Sequence, residues 1–330
     1  MSGQRVLSVE RLSVAFRGRG SPVRVVREVD FTLDAGEVLV ILGESGSGKS
    51  VTLKALMRLL PAARSEISGR VEIMGEDVLA LDERALSAKR GRDVAMIFQE
   101  PALAFDPVFT VGRQIAETVR RHQGCSNADA MKRAKELLDL VQIPSAERRL
   151  KAYPHELSGG MRQRAMIALA LSCKPRLLLA DEPTTALDAT VQIQIQLLLR
   201  RLQRELGMAV ILVTHDVGVA AEIADRIAVM YAGRFVETGP VRQIIRAPMH
   251  PYTKGLLAST VHGATRGQRL EAIPGNPPNP AELADGCGFA PRCGSAMAAC
   301  RLGEIAAYQP APDRLVRCRL LESEVGSVSS

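Results

Sequence analysis

The chain has no tryptophan, and aromatic residues fill only 3% of its 330 positions. That is a poor supply of stacking platforms for single-stranded nucleic acid. Long apolar runs are missing too. Nothing approaches the roughly 18–20 residues that span a bilayer, so any membrane association must come through a partner. The N-terminus, Met1 to Glu10, lacks the apolar core of a signal peptide, and the expectation is a cytoplasmic protein. Six cysteines in such a chain point away from structural disulfides and towards metal ligation or plain burial. What is present is ordinary for a soluble globular protein: 46% hydrophobic and 24% charged residues, enough for one large domain with an appendage or for two modest domains. The net charge of +7 reads first as a solvated Lys/Arg-rich exterior, ahead of a nucleic-acid or anionic-lipid surface.

Alternation of the β type runs from about Val6 to Leu33, broken by a Gly/Arg-rich hairpin loop at Arg17 to Pro22. The apolar run Val38–Leu42 predicts a strand, and the periodic residues Val51, Leu53, Leu56, Leu59 and Leu60 predict a helix that stops at Pro61. Strands follow near Gly69–Met74 and at Val94–Phe98, then a mostly helical stretch from about Val111 to Leu140. A helix opens at Ser158 and runs to about Ser172. Beyond it come a buried strand at Leu177–Ala180, a long helix at Thr190–Leu206, a strand at Ala209–Val213, and a hairpin of Ile227–Tyr231 with Arg234–Glu237. Strands alternating with helices imply a mainly parallel sheet covered on both faces, an α/β fold with a small antiparallel β subdomain beside it. Character changes between Arg246 and His250, where a boundary is placed: residues 1–247 form the main domain and 248–330 a small tail domain. Pro274-Gly275-Asn276-Pro277-Pro278-Asn279-Pro280 cannot be regular structure, a cysteine cluster follows, and Ser323 to Ser330 read as a frayed end.

Between the first strand–helix pair lies Gly43-Glu44-Ser45-Gly46-Ser47-Gly48-Lys49-Ser50, which fits G-x-x-x-x-G-K-[ST] in the strand–turn–helix context that motif requires. Its glycines let backbone N–H groups fold around a phosphate, and the helix N-terminus adds its positive dipole end. Lys49 would reach the β- and γ-phosphates and the Ser50 hydroxyl would sit on Mg²⁺. Leu177–Ala180 ends in Asp181-Glu182. Asp181 is placed to hold Mg²⁺ through water at the C-terminal edge of the sheet, and Glu182 to polarise an attacking water as general base. An isolated acid pair would more often cap a turn; the phosphate loop makes that the minor reading. Leu157-Ser158-Gly159-Gly160-Met161 sets Ser158 as N-cap of the following helix and leaves glycine N–H groups free to meet an anion.

At this point the chain resembles the ATP-binding-cassette (ABC) family, whose signature segment Leu157–Met161 matches. The resemblance covers roughly residues 5–245 and implies a helical subdomain carrying the signature. It implies that Ser158, Gly159 and Gly160 close over the γ-phosphate held by an opposite subunit, so that two ATP are sandwiched in a head-to-tail dimer. It also implies that Gln99 is the Q-loop glutamine touching Mg²⁺ and facing the membrane partner, that Asp188 belongs to the D-loop, and that His215 is the switch histidine at the γ-phosphate. Phe16 is the candidate adenine-stacking aromatic, with Phe31 nearby. Because Glu182 and His215 are both present, hydrolysis is expected; Met161 stands where Gln is more common.

Finer resemblance points to the oligopeptide/dipeptide permease ATPases, through Gly43–Gly46, Leu157–Arg164, His250-Pro251-Tyr252-Thr253 and Pro274–Pro278. It implies a second, related ABC ATPase as heterodimer partner, two transmembrane permease subunits, an extracytoplasmic solute-binding protein acting indirectly, and a peripheral position on the cytoplasmic face of the inner membrane. The segment Glu100–Pro107 is looser than the family's usual Q-loop sequel. Cys287, Cys293, Cys300 and Cys318 lack the close C-x-x-C pairs of zinc knuckles and suit an iron–sulfur cluster held at varied spacing. The resemblance implies a [4Fe–4S] cluster, with Zn²⁺ and simply buried thiols as the second and third readings; Cys125 and Cys173 are incidental. A rival of another class is a soluble ABC ATPase acting on nucleic acid or the translation machinery. Such relatives insert long coiled coils or zinc modules, or carry two cassettes in one chain, and this chain does neither. No nucleic-acid partner is expected.

Overall fold

The structure, a computed structural model, describes residues 3–18, 20–185, 187–259, 273–283 and 285–321. The frayed end expected at 323–330 lies outside these residues, as does Ala186 of the D-loop stretch. In chain order the strands are β1 Arg5–Phe16, β2 Val23–Asp34, β3 Val38–Leu42, β4 Ser65–Ile73, β5 Glu76–Asp77, β6 Val94–Ile97, β7 Leu177–Asp181, β8 Ala209–Thr214, β9 Arg226–Tyr231, β10 Arg234–Pro240, β11 Tyr308–Ala311 and β12 Arg314–Val316. The helices are α1 Lys49–Leu56, α2 Glu83–Lys89, α3 Pro101–Ala104, α4 Val111–Gln123, α5 Asn127–Leu140, α6 Ala146–Leu150, α7 Gly159–Ala170, α8 Ala189–Leu206, α9 Val217–Ile223, α10 Val241–Arg246 and α11 Pro251–Ala258. Among the described residues no helix is long and apolar enough to cross a membrane.

The chain divides into two units, the first built from residues 1–8, 32–37 and 71–212. Its β6 and β7 pair in parallel, Val94 opposite Leu177 through Ile97 opposite Ala180, with β8 on the far side of β7. Every residue of β6 and β7 is buried, as expected of parallel strands covered on both faces. The stretch read as one helical run from Val111 to Leu140 is two helices. Gly124 ends α4 at a φ of 64°, the left-handed C-cap, and Ser126 starts α5 by accepting from Asp129 N–H. The apolar stripes Val111, Ile115, Val119 and Ala130, Ala134, Leu137 then bury where α4 packs on α5, with α7 beside both.

The second unit comprises residues 9–31, 38–70 and 213–330. Here β3 runs parallel to β9, and β9 turns back on β10 through Ala232 and Gly233, at φ 47° and 80°. Two successive positive φ values are what a tight two-residue hairpin demands. α1 ends at Leu56, short of the expected Pro61, because Arg58 turns left-handed at φ 50° and leaves Leu59 exposed. The tail contributes two strands that no alternation announced. β12 lies antiparallel on β10, Glu237 opposite Val316, and β11 pairs with β12 at the edge. A buried ion pair fastens this edge: Arg314 donates to the Glu237 carboxylate and to Ala247 O, while Glu237 also accepts from the N–H groups of Met249 and His250. Those extra hydrogen bonds are what make a buried pair tolerable in a low-dielectric interior.

Candidate functional site

In the second unit, the buried strand β3 delivers the chain into a loop that only glycine can make. A Cβ on Gly43 would lie 2.3 Å from Met230 O, and one on Gly48, at φ 105°, would lie 2.8 Å from Val25 O. Lys49 is only 4% exposed. Its ammonium donates to Gly43 O at 2.8 Å and Glu44 O at 3.0 Å, closing the loop arm into a ring around itself. Ser47 N–H donates to Glu44 O at 3.2 Å, and Gly233 N–H to Ser47 O at 2.9 Å. Among the described residues no side chain caps α1 at Gly48, and the positive end of the helix faces the loop. Ser45 and Gly46 are exposed at the loop's crest, and Ser50 is half-buried in the first helical turn. A cradle whose shape a Cβ would fill, with a cation inside it, fits a phosphate chain.

The same unit holds His215 and Phe16. His215 follows β8 on the exposed side, ahead of Asp216, which caps α9 by accepting from Gly218 and Val219 N–H. Phe16 ends β1 half-buried, whereas Phe31 is buried edge-on against Phe235 at 5.7 Å between ring centroids. Packing therefore consumes Phe31 and leaves Phe16 at the strand end.

In the first unit, Asp181 is 2% exposed at the end of β7. Glu182 turns left-handed at φ 44°, a conformation that costs a side-chain-bearing residue free energy and concentrates at functional sites. Thr185 donates to it twice, Oγ1 to the Glu182 carboxylate at 3.0 Å and N–H to Glu182 O at 3.2 Å. Ser158 caps α7 by accepting from Met161 N–H at 3.3 Å, as its sequence position predicts, and Asp188 caps α8 by accepting from Val191 N–H at 2.9 Å. The signature and the start of α8 touch: a Cβ on Gly160 would lie 2.9 Å from Val191 Cγ1, and one on Gly159 3.5 Å from Leu187 Cδ2. Ser158, Gly159 and Asp188 are exposed, and so is Gln99 beyond β6. The Asp181 carboxylate is a hard oxygen donor of the kind Mg²⁺ takes, as, taken by itself in the second unit, is the Ser50 hydroxyl.

The tail supplies contacts to the phosphate loop that the sequence reading did not single out. Arg292 grips the Glu44 carboxylate with both nitrogens of its fork, at 2.6 and 3.0 Å, and Tyr252 OH accepts from Glu44 N–H at 2.9 Å. Glu44 in turn holds the Arg292 guanidinium more firmly protonated than usual. His250 caps α11, its Nδ1 accepting from Tyr252 N–H at 3.0 Å, and burial pushes its pKa from 6.5 down to about 4. Between those values the unfolded chain carries the proton and the folded chain does not. Stability is thus lost as pH falls through that window, at about 1.4 kcal/mol per unit. His250→Asn keeps an N-cap acceptor and removes the titration. Chemical denaturation at pH 7, 5.5 and 4.5 is expected to show a shallower loss for this variant than for the parent.

All six cysteines are free thiols. Cys287 N–H donates to Cys300 O at 2.8 Å, and burial raises the thiol pKa of Cys287 and of Cys318, with the other tail thiols adding to the effect. Among the described residues no group of three or more His, Cys, Asp or Glu is placed to hold a metal ion. Cys287, Cys293, Cys300 and Cys318, the ligand set expected from sequence, are not among such groups.

Family models match two stretches, ABC transporter over residues 26–185 and oligopeptide/dipeptide transporter, C-terminal region, over residues 236–300. A Brucella abortus (strain 2308) protein named for peptide import ATP binding is 51% identical over 312 residues, 91% of this chain and 92% of its own. A similarly named protein of Brucella melitensis biotype 1 is 50% identical over 295 residues, 89% of each chain. Among solved structures, the ATP-binding cassette MJ0796, a dimer in a post-hydrolysis state bound to ADP and Pi, aligns at a TM-score of 0.64 and 29% identity, over 72% of this chain and 99% of its own. The cbiO1 component of the Clostridium perfringens transporter complex cbiONQ aligns at 0.62 and 25% identity, over 74% and 92%. The fold is that of an ABC ATPase, and the chain belongs to the ABC transporter ATP-binding family, with a C-terminal region of the oligopeptide/dipeptide transporter type.

Proposed function

We propose that this chain is the ATP-hydrolysing subunit of an ABC importer for di- and oligopeptides or related small solutes. The observation that carries the reading is the pairing of a complete cassette with an oligopeptide/dipeptide-type C-terminal region in a chain about half identical, over nearly its whole length, to proteins named for peptide import. Residues 1–247 act as the nucleotide-binding domain and 248–330 as the C-terminal domain. ATP is held by residues 43–50 with Phe16 against the base; Ser50, Gln99 and Asp181 hold Mg²⁺; Glu182 and His215 carry the hydrolytic step. Ser158, Gly159, Gly160 and Asp188 cap the nucleotide of a second ABC ATPase in a heterodimer. Two permease subunits on the cytoplasmic face of the membrane, served by an extracytoplasmic binding protein, complete the machine. Extraction of a tagged chain from membranes is expected to bring down two multi-span proteins and a second cassette, and peptide-loaded binding protein is expected to raise ATP turnover of the reconstituted complex. Recovery of nucleic acid in place of membrane proteins overturns the reading.

For the tail, a [4Fe–4S] cluster on Cys287, Cys293, Cys300 and Cys318 rests on the four thiols gathered in one Pro/Gly-rich region, with Zn²⁺ as the alternative. The placement of those thiols weighs against both. Iron, sulfide and zinc analysis of anaerobically purified protein decides between them. No step of ATP hydrolysis runs through this region.

A further inference from the structure

We propose that Arg292 and Tyr252 are positioning residues for nucleotide binding, because together they fix Glu44, the second residue of the phosphate loop, from a tail more than 200 positions away. This rests on the reading of residues 43–50 as the phosphate loop. A guanidinium has five N–H donors, and all five of Arg292 are engaged. Nε donates to Pro274 O at 2.8 Å. Nη1 donates to Glu44 Oε2 at 2.6 Å and to Tyr231 OH at 3.2 Å. Nη2 donates to Glu44 Oε1 at 3.0 Å and to Ile273 O at 3.4 Å. The side chain is only 5% exposed, so its position is fixed by the tail backbone on one side and by Glu44 on the other.

Glu44 is thereby held at every polar group. Its N–H donates to Tyr252 OH, its carbonyl accepts from Lys49 Nζ and Ser47 N–H, and its carboxylate takes the Arg292 fork. Tyr252 is fully buried in an aromatic cluster, 4.5 Å from the Tyr231 ring and 5.4 Å from Phe289, and cannot follow the loop if the loop moves. Pro277 and Pro278 line a small cleft with Glu44–Ser47, adding stiff walls beside the loop.

Two physical consequences follow for ATP. A loop with left-handed glycines at 46 and 48 has much conformational freedom to lose on closing around phosphates, and holding its first arm in advance removes part of that cost. A free carboxylate at position 44 would also repel a triphosphate arriving at the loop; the two-pronged grip neutralises it and holds it in place. Neither effect touches the hydrolytic step, so both act on affinity.

The experiment uses the full chain in its two-ATPase complex, with binding of a fluorescent ATP analogue and steady-state kcat and KM for ATP as readouts. Arg292→Ala is expected to weaken ATP binding and raise KM about tenfold, the order expected of a lost charged hydrogen-bond pair, with kcat unchanged within about twofold. Arg292→Lys keeps the charge without the fork and is expected to recover part of the loss. Tyr252→Phe, which removes one hydroxyl from a filled core, is expected to weaken binding about threefold, the worth of one neutral hydrogen bond. On a Glu44→Gln background, Arg292→Ala is expected to cost no more than about a further twofold, because the two residues act as one unit. Lys49→Ala serves as the reference. If it loses ATP while Arg292→Ala and Tyr252→Phe bind as the parent does, or while Arg292→Ala costs the same with Glu44→Gln present, the positioning role is overturned. If Lys49→Ala itself binds normally, the phosphate-loop reading fails instead. Should Arg292→Ala not fold, Arg292→Lys and Tyr252→Phe decide by the same criteria.

Discussion

Glu182→Gln is expected to stop turnover while leaving ATP bound, with steady-state phosphate release falling by about 10³-fold, within the range a positioned general base contributes. Glutamine matches glutamate in size and can still accept from Thr185 Oγ1, so the left-handed turn at position 182 and its tie to Thr185 survive. What disappears is the basic oxygen. Asp181, one residue earlier, is buried at the end of β7 and is untouched by the substitution, so the proposed metal ligand is retained. The variant should therefore separate binding from chemistry: unchanged affinity for ATP, lost hydrolysis, and an ATP-dependent dimer long-lived enough to isolate by size-exclusion chromatography. Hydrolysis at the parental rate would remove Glu182 from the role of base. A loss of ATP affinity equal to the loss of rate would mean that the carboxylate binds and does not catalyse.

Much of the cassette was legible because its chemistry is local. The run Val38–Leu42, the glycine spacing after it, the Ser158 cap and the strand ending in Asp181 each sit within a few residues of the groups they position. Helix limits were less legible. The break at Gly124 and Ser126 has clear local chemistry, a left-handed glycine and a capping serine, yet it was hidden inside an apolar period that continues on both sides. Arg58 at φ 50° shortened α1 against a periodicity that ran on through Leu59 and Leu60. The tail strands could not be read: β11 contains Pro310, β12 is three residues long, and both exist because β10 offers an edge to pair with. The grip of Arg292 on Glu44 spans 248 positions, and no period or composition signals such a contact. His250-Pro251-Tyr252-Thr253 did stand out, but as a family mark; its physical roles, a cap at His250 and a buried hydroxyl at Tyr252 aimed at the phosphate loop, are long-range facts.

Lys49→Ala is expected to raise the dissociation constant for ATP on the order of 10²-fold and to abolish hydrolysis at any accessible concentration, as expected when a buried hydrogen-bonded charge loses its partner. The ammonium donates to two carbonyls, Gly43 O and Glu44 O. Phosphate oxygens must therefore displace bonds that already exist, and they win because they carry full charge where a carbonyl carries only a partial one. Removing the ammonium takes one donor from each of those carbonyls, leaving Glu44 O with Ser47 N–H, and deprives the loop arm of its inner tie, so some loss of stability accompanies the loss of affinity. Lys49→Arg separates the two effects. It restores a cation at the position, but its planar fork is bulkier than an ammonium and the ring closed around Lys49 was built for the smaller group. The expected order of ATP affinity by isothermal titration is parent, then Arg, then Ala, with the thermal stability of the Arg variant nearer to the parent than that of Ala. If Lys49→Ala binds ATP as the parent does, the triphosphate does not sit in this loop, and the shape that Gly43 and Gly48 impose on it serves another ligand.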